Sequence, residues 1–438
     1  MLALQKNSIG NDSKIEWIGN VPKGWEILPV RAILNERKEK NFSGNIDNIL
    51  SVMKDVGVIR YADKGNVGNK SSDRPENYKI VYKNDIVINS MNLVIGSVGL
   101  ANEEGVTSSV YIIYHLKDKN NDIRYFYDLF RDKSFQKHLG TFGRGMMELR
   151  ESVKVTDIKN QLIPVPPVDL QKQIANFLEE KASKIDQIIA KKKKLIELLK
   201  EKRISIITQA VTKGLNLKAK MKPSGVKWIG DIPADWKVMK LKFLSSVQAS
   251  NVDKNYVQGE QEVSLCNYIN VYKNEFIVNN LEFMKSTATT EQINKLSVLE
   301  GDVLLTKDSE TADDIGVPAY VCNVEKAGLL VCGYHLYLTR AHKINPKYLF
   351  RYLQGKKVRA KFEISSNGVT RFGLSNYPLV NLEIIVPTPS DQTKISNFIE
   401  KTTERIDMSI KKLKDQNEKL KEYRSSLIYN AVTGKIKI

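Results

Sequence analysis

The chain has 438 residues, 42% of them hydrophobic, and a net charge of +18 at pH 7, from 68 Lys and Arg against 50 Asp and Glu. That length supports more than one core. No apolar run reaches the roughly 18 residues of a membrane-spanning helix, and the N-terminus lacks a signal-peptide hydrophobic stretch, so a cytoplasmic protein without membrane attachment is expected. The basic excess points to a polyanionic partner, nucleic acid foremost.

The first recognisable element is Trp17-Ile18-Gly19-Asn20-Val21-Pro22-Lys23-Gly24-Trp25. Hydrophobic runs then alternate with turn signals. Early loops hold Arg60 and Lys64. Asn84-Asp85 introduces the run Ile86-Val87-Ile88, followed by Asn89, which reads as a strand entered through a turn. Residues 109–114 form a second strand candidate and residues 124–130 a buried helix. The stretch Gly143-Arg-Gly-Met-Met-Glu-Leu-Arg150 places Arg144 and Arg150 in a glycine-containing loop, suited to close approach to a backbone phosphate. Pairing of these arginines with local carboxylates explains them equally well.

Pro166 and Pro167 block helix before a long uninterrupted segment, and Asp169 reads as its N-cap. No proline or glycine follows until Gly214. Ile174, Leu178, Ile185, Ile188, Leu195, Leu199 and Ile206 recur with heptad spacing, a coiled-coil seam. Lys181, Lys192 and Lys202 interrupt it. The lysine run at 191–194 reads as a solvated helix face more readily than as a DNA contact. About 42 residues of helix span roughly 60 Å at 1.5 Å per residue.

The second tryptophan motif is Trp228-Ile229-Gly230-Asp231-Ile232-Pro233-Ala234-Asp235-Trp236. Asn267 and Tyr268 lie in an early loop of this half. Gly301-Asp302 opens the strand candidate Val303-Leu304-Leu305-Thr306, followed by Lys307. Residues 334–338 are a further strand and residues 347–353 a buried helix. Arg371 sits in Asn367-Gly-Val-Thr-Arg371-Phe-Gly, matching Arg150 at an offset of 221. Pro387 and Pro389 precede the second long helix, with Ser390 as the expected N-cap. Its seam is Ile395, Ile399, Ile406, Leu413, Leu420 and Leu427, interrupted by Thr402 and Gln416.

The chain is therefore one unit written twice. The tryptophan motifs repeat at an offset of 211, and the helical segments at 221, with identical pairs Gln171/Gln392, Phe177/Phe398, Ile185/Ile406, Asp186/Asp407, Leu199/Leu420, Arg203/Arg424 and Ala210/Ala431. The expected fold class is α+β: an α+β domain over 1–165, a helix over 166–213, a second α+β domain over 214–387 and a second helix over 388–438. A single amphipathic helix cannot bury its stripe alone, so the two helices are expected to pair, antiparallel about a pseudo-two-fold axis as related halves usually do. The two α+β regions match poorly outside a few anchors: the scaffold repeats while the surface it carries has diverged.

Cys266, Cys322 and Cys332 have no counterparts in the first half and read as reduced thiols. His115, His138, His335 and His342 have no metal-ligand spacing. No Gly-x4-Gly-Lys-Ser/Thr phosphate loop is present, nor an Asn-Pro-Pro-aromatic motif.

The Trp-Ile-Gly-x-x-Pro-x-x-Trp opening, the proline step into a long basic helix and the helix end Ala210-Val211-Thr212-Lys213-Gly214, repeated as Ala431-Val432-Thr433-Gly434, resemble the specificity subunit of Type I restriction–modification enzymes. The resemblance spans essentially the whole chain. It implies two target recognition domains, each reading one half of a split asymmetric site in double-stranded DNA, and a helix pair that sets the spacer between half-sites. It implies no catalytic residues here. Two methyltransferase subunits would bind S-adenosylmethionine, and restriction and translocation subunits would use ATP and Mg2+. Candidate DNA contacts are Arg60, Lys64, Asn89, Arg144, Arg150, Asn267, Tyr268, Lys307 and Arg371, since such side chains contact phosphates or read base edges. A specificity unit of a Type IIB-like or phage-exclusion system shares all these features. A basic coiled-coil adaptor that binds proteins is the other alternative.

Overall fold

A computed structural model describes residues 11–12, 15–65, 77–143, 152–216 and 218–438. The chain divides into two compact units: residues 1–192 with 414–438, and residues 193–413. The long helices are Val168–Lys213 and Pro389–Val432. Each therefore gives its first half to one unit and its second half to the other, so the compact units cut across the sequence domains.

In the first unit, the strand Glu26–Pro29, which follows the tryptophan motif, pairs antiparallel with Leu162–Val165, which leads into the first long helix. This ladder closes the recognition domain at its base. Above it lies an antiparallel sheet in the order Leu34–Glu36, Ile112–Leu116, Ile86–Ile88, Val98–Leu100. Asn84 enters the Ile86–Ile88 strand at φ +69. Asp85 closes the turn by accepting the Tyr82 N–H at 2.9 Å, and Arg37 holds it at 2.8 Å.

The second unit repeats this plan. Lys237–Lys240 pairs with Glu383–Val386. The sheet runs Ser245–Ala249, Leu336–Ala341, Val303–Thr306, Pro318–Asn323, with Phe276–Val278 added parallel at one edge. Asp302 repeats the turn, accepting from Leu299 at 2.8 Å with Arg340 at 2.8 Å. Outside the shared sheet the units differ. The second carries a three-stranded sheet (Met284–Ala288, Gln261–Cys266, Leu330–Cys332) over a hydrophobic core of its own. In the first, the described residues outside it include the hairpin Leu50–Met53 with Gly57–Arg60 and the pair Lys79–Val81 with Gly105–Thr107.

Each recognition domain grips the end of the long helix that finishes in its unit. The amphipathic helices Ile123–Arg131 and Pro346–Leu353 bury the matching tyrosines Tyr125 and Tyr348 at the junction. The Tyr125 hydroxyl donates between the carbonyl oxygens of Pro164 at 2.9 Å and Val432 at 3.0 Å. The Tyr348 hydroxyl lies between those of Ile385 at 3.0 Å and Val211 at 3.1 Å. Val211 and Val432 lie in final helical turns, whose carbonyls lack partners within the helix. Gly214 (φ +76) and Gly434 (φ +67) end the helices; a Cβ at either would lie 3.1 Å from the ring of Trp236 or Trp25, respectively. The repeated tryptophans are thus sockets for the repeated helix ends. At the helix starts, buried Gln171 donates to the Pro166 carbonyl at 2.9 Å and accepts from Asp122 N–H at 3.0 Å. Gln392 does the same with Pro387 at 2.9 Å and Asn345 at 2.7 Å.

The caps differ from expectation. Pro389 occupies the first helical position, and the N-cap is Thr388, whose hydroxyl accepts the Asp391 N–H at 3.2 Å. Ser390 lies inside the helix. Asp169 likewise lies in the first turn, where its charge complements the helix dipole.

The helices pair antiparallel within each unit. In the first, Asp186 meets Arg424 at 3.2 Å and Lys192 donates to the Gln416 side chain. In the second, Arg203 donates to Asp407 at 3.0 Å. Ile174, Leu178, Ile185, Ile395, Ile399, Ile406 and Leu427 are buried as expected, with Leu199, Ile206, Leu413 and Leu420 half-buried. Two seam positions need correction. Ile188 is 43% exposed and Leu195 44% exposed, while Ile189 and Ile196 are buried. The seam runs through Ile185, Ile189, Lys192, Ile196 and Leu199, one residue later than the Ile188 and Leu195 reading. Adjacent isoleucines and leucines made both registers plausible. The polar intruders Lys192 and Gln416 face each other, which favours one register.

Two predictions follow from the junctions. Tyr348→Phe removes the donor to two buried carbonyls and should lower unfolding stability by about 1–3 kcal/mol in chemical denaturation. In the first unit, burial raises the Asp128 carboxyl to about 6, against Arg131 at 2.9 Å. Its folded value lies above the ordinary one near 3.9. Its contribution is therefore fully present below about pH 4 and is lost as pH rises through about 6. The stability of wild type relative to Asp128→Asn should fall between pH 4 and 7; a constant difference would mean that Asp128 is ionised in the folded chain throughout that range.

Candidate nucleic-acid interface

In the second unit, four sequence candidates converge. The strand Val303–Thr306 delivers Lys307 to the sheet end, where its backbone N–H donates to the His335 carbonyl and its carbonyl accepts from Leu374, both at 2.8 Å. Asp308 and Ser309 pair with Gly373 and Phe372, which brings Arg371 alongside. Gly333 donates to Cys266 at 2.8 Å, placing the turn at 333–335 beside Asn267 and Tyr268.

The side chains form a cation–aromatic surface. The Lys307 ammonium lies 4.6 Å from the centroid of the Tyr334 ring, which is largely exposed. Tyr268 and Tyr272 stack at 5.4 Å on the short helix Tyr268–Lys273. The Tyr268 hydroxyl is pushed up by partial burial, against a hydrogen bond with Ser309 and the nearby positive charge of Arg371. Arg371 is exposed. A guanidinium in this setting can donate two parallel hydrogen bonds to a phosphate or a guanine edge, and exposed rings offer stacking faces.

Asn267 has a different job. Its side chain accepts the Asn270 N–H at 3.2 Å, and the Asn270 side chain accepts from the Asn267 N–H at 3.0 Å, a reciprocal cap. His335 contacts Asp308 at 2.7 Å. Sequence reading missed Tyr272, Tyr334 and His335. The signal was there: Tyr334-His335 directly precedes the strand Leu336–Ala341, paired with the one that Lys307 follows.

In the first unit the candidates scatter. Asn89 is 7% exposed, and its carboxamide accepts the Met91 N–H at 3.2 Å. It is a turn residue and offers no exposed reading group. The position matching Lys307 is Ser90, whose carbonyl accepts from Val153 at 3.3 Å as that of Lys307 does from Leu374. Arg60 is spent on Glu103, Nη2 to carboxylate at 2.6 Å, and the Lys64 ammonium lies 5.1 Å from the Tyr61 ring. Both stand at the far end of the Gly57–Arg60 strand from the turn that meets Gly96. Arg144 and Arg150 lie outside the described residues.

Among the described residues no His, Cys, Asp and Glu group could hold a metal ion. Cys266 and Cys332 are neighbours on paired strands, both free and buried; burial raises Cys266 to about 12, an unreactive thiol. No helix among the described residues is long and apolar enough to cross a membrane.

The profile of the "Type I restriction modification DNA specificity domain" matches twice, at residues 22–198 and 233–419. The chain is 24% identical over 422 residues to the Type I restriction enzyme MjaVIII specificity subunit of Methanocaldococcus jannaschii, covering 95% of this chain and 94% of that one. It is also 24% identical over 466 residues to the putative type I restriction enzyme MjaX specificity subunit of the same organism, covering 100% and 99%. Among solved structures, a chain from work described as "Structural basis underlying complex assembly and conformational transition of the type I R-M system" superposes with a TM-score of 0.72 at 12% identity, covering 95% of this chain and 99% of that one. The HsdS subunit from Thermoanaerobacter tengcongensis gives 0.51 at 13% identity, covering 95% and 98%. These likenesses show the fold.

The geometry separates the two candidate side chains nearest the helix Tyr268–Lys273. Asn267→Ala should lower thermal stability, by about 0.5–2 kcal/mol for a lost N-cap, whereas Arg371→Ala should leave stability within about 0.5 kcal/mol. Equal destabilisation by both would assign Arg371 a structural role.

Proposed function

The chain belongs to the Type I restriction–modification DNA specificity family, and from that premise we propose that it is the sequence-reading subunit of such a complex, each recognition domain contacting one half of a split DNA site. The observation that carries this reading is the distribution of likeness between the halves. The four-strand plan of the sheet, the Tyr and Trp sockets and the helix ends repeat, while the outer parts and the candidate reading groups differ. A shared frame with two different surfaces suits a target with two unlike parts.

In the second unit, Arg371 and Lys307 supply phosphate or base contacts, and Tyr268, Tyr272 and Tyr334 supply aromatic faces. Phosphate contacts give affinity, and groove contacts give sequence choice. The paired helices set the separation of the half-sites and dock two methyltransferase subunits. Methyl transfer from S-adenosylmethionine, and ATP- and Mg2+-dependent translocation and cleavage, belong to the partner subunits.

Replacing residues 26–160 with the recognition domain of another family member should change one half of the modified motif and leave the other intact. Co-expression with the cognate methyltransferase, followed by genome-wide mapping of modified adenines, reads this directly. A motif altered in both halves would defeat the two-reader assignment.

A further inference from the structure

The first unit contains a cavity of about 570 Å³, between the loop around Gly96, the helix Lys133–Gly140 and the last turns of the second long helix. That volume is within the range of ligand pockets. Five cations line it (Lys54, Arg131, Lys133, Lys137 and Arg424) against one lining acid, Asp55. Arg131 and Arg424 each hold one carboxylate outside the lining, Asp128 at 2.9 Å and Asp186 at 3.2 Å. The Nε of Arg424 is buried with no hydrogen-bond partner among the described residues. Burial first, then the adjacent Arg131, hold the Arg424 guanidinium below its usual value.

The second unit shows what such an arginine takes. Arg203, which matches Arg424 at the 221-residue offset, uses Nε on Asp407 and Nη2 on a second acid, Glu275. Glu275 also receives Arg351 and Gln354. Its carboxylate sits in the corresponding cavity, lined by Arg203, Lys356 and Arg359. In the first unit the helix-end arginine lacks this second anion, and the three lysines have no salt bridge among the described residues.

We propose that the cavity of the first unit binds a phosphate group, held by Arg424 and Arg131 and by the lysines Lys54, Lys133 and Lys137. Guanidinium groups take tetrahedral oxyanions through parallel N–H donors, and a surplus of flexible ammonium groups fits phosphate charge better than a single carboxylate. The source is either the DNA backbone, which rests on the reading above, or a free phosphate or phosphate ester, which does not.

The test uses the full chain and three proteins: wild type, Lys133→Ala/Lys137→Ala, and Lys191→Ala/Lys194→Ala, which removes equal charge from exposed helix positions outside the cavity. Titration with inorganic phosphate at constant ionic strength should show binding by wild type, at least tenfold weaker in the cavity variant and within twofold in the helix variant. Salt dependence of DNA binding then distinguishes the sources. A slope reduced by about one per lost phosphate contact assigns the DNA backbone; an unchanged slope with weakened phosphate binding assigns a free phosphate ligand. No phosphate binding by wild type, or equal binding by the cavity variant, overturns the site whatever the DNA result. Absence of sequence-specific DNA binding by wild type would instead count against the functional reading and leave the phosphate titration standing.

Discussion

The structure depends on how a long helix is made to stop. Its final carbonyls have no partners within the helix, and burying them costs free energy unless a donor is supplied. Tyr125 and Tyr348 supply it, each from a buried helix of a recognition domain, and each shared with a carbonyl of the strand closing that domain's base. The tryptophan rings then close over the glycines that end the helices. Strand, docking helix and helix end are fixed by one hydroxyl group, so none can shift alone.

The charged pairs at the helix ends follow the same logic in two versions. Arg203 and Arg424, identical in position, both meet a carboxylate of the opposing helix, Asp407 and Asp186. Around them the units diverge: in one, Asp128 of the docking helix pairs with Arg131 and the Arg424 Nε is left without a partner among the described residues, whereas in the other Glu275 of an outer segment takes Arg203 itself. The frame tolerates either arrangement because the carboxylate of the opposing helix compensates the arginine in both.

Much of this was legible in the sequence. The tryptophan motifs, the proline steps and the helix ends Ala-Val-Thr marked the repeat, because the docking geometry admits few residues there. The strands after Asn84 and Gly301 were readable because a tight turn precedes each. The seam positions Ile174, Leu178 and Ile185 are buried, and the reading was misplaced by one residue at Ile188 and Leu195, where the adjacent Ile189 and Ile196 blur the period. The candidate site was less legible. Asn89 and Asn267 are polar residues in turns, and a turn uses an Asn side chain as readily as a ligand does. Lys307 was read from its place after a repeated strand and Arg371 from its glycine-containing loop, whereas Tyr272 and Tyr334 needed the tertiary packing to bring them together.

The outer three-stranded sheet of the second unit shares a hydrophobic cluster with Leu304, Ala319 and Leu338 of the five-stranded sheet, while Val303, Leu305 and Tyr337 of the same strands join the core that holds the helix end. Positions on the lobe's own three strands lie in a cluster that includes neither Tyr348 nor Trp236. New binding preferences can therefore arise by drift in the lobe, without passing through sequences that fail to fold.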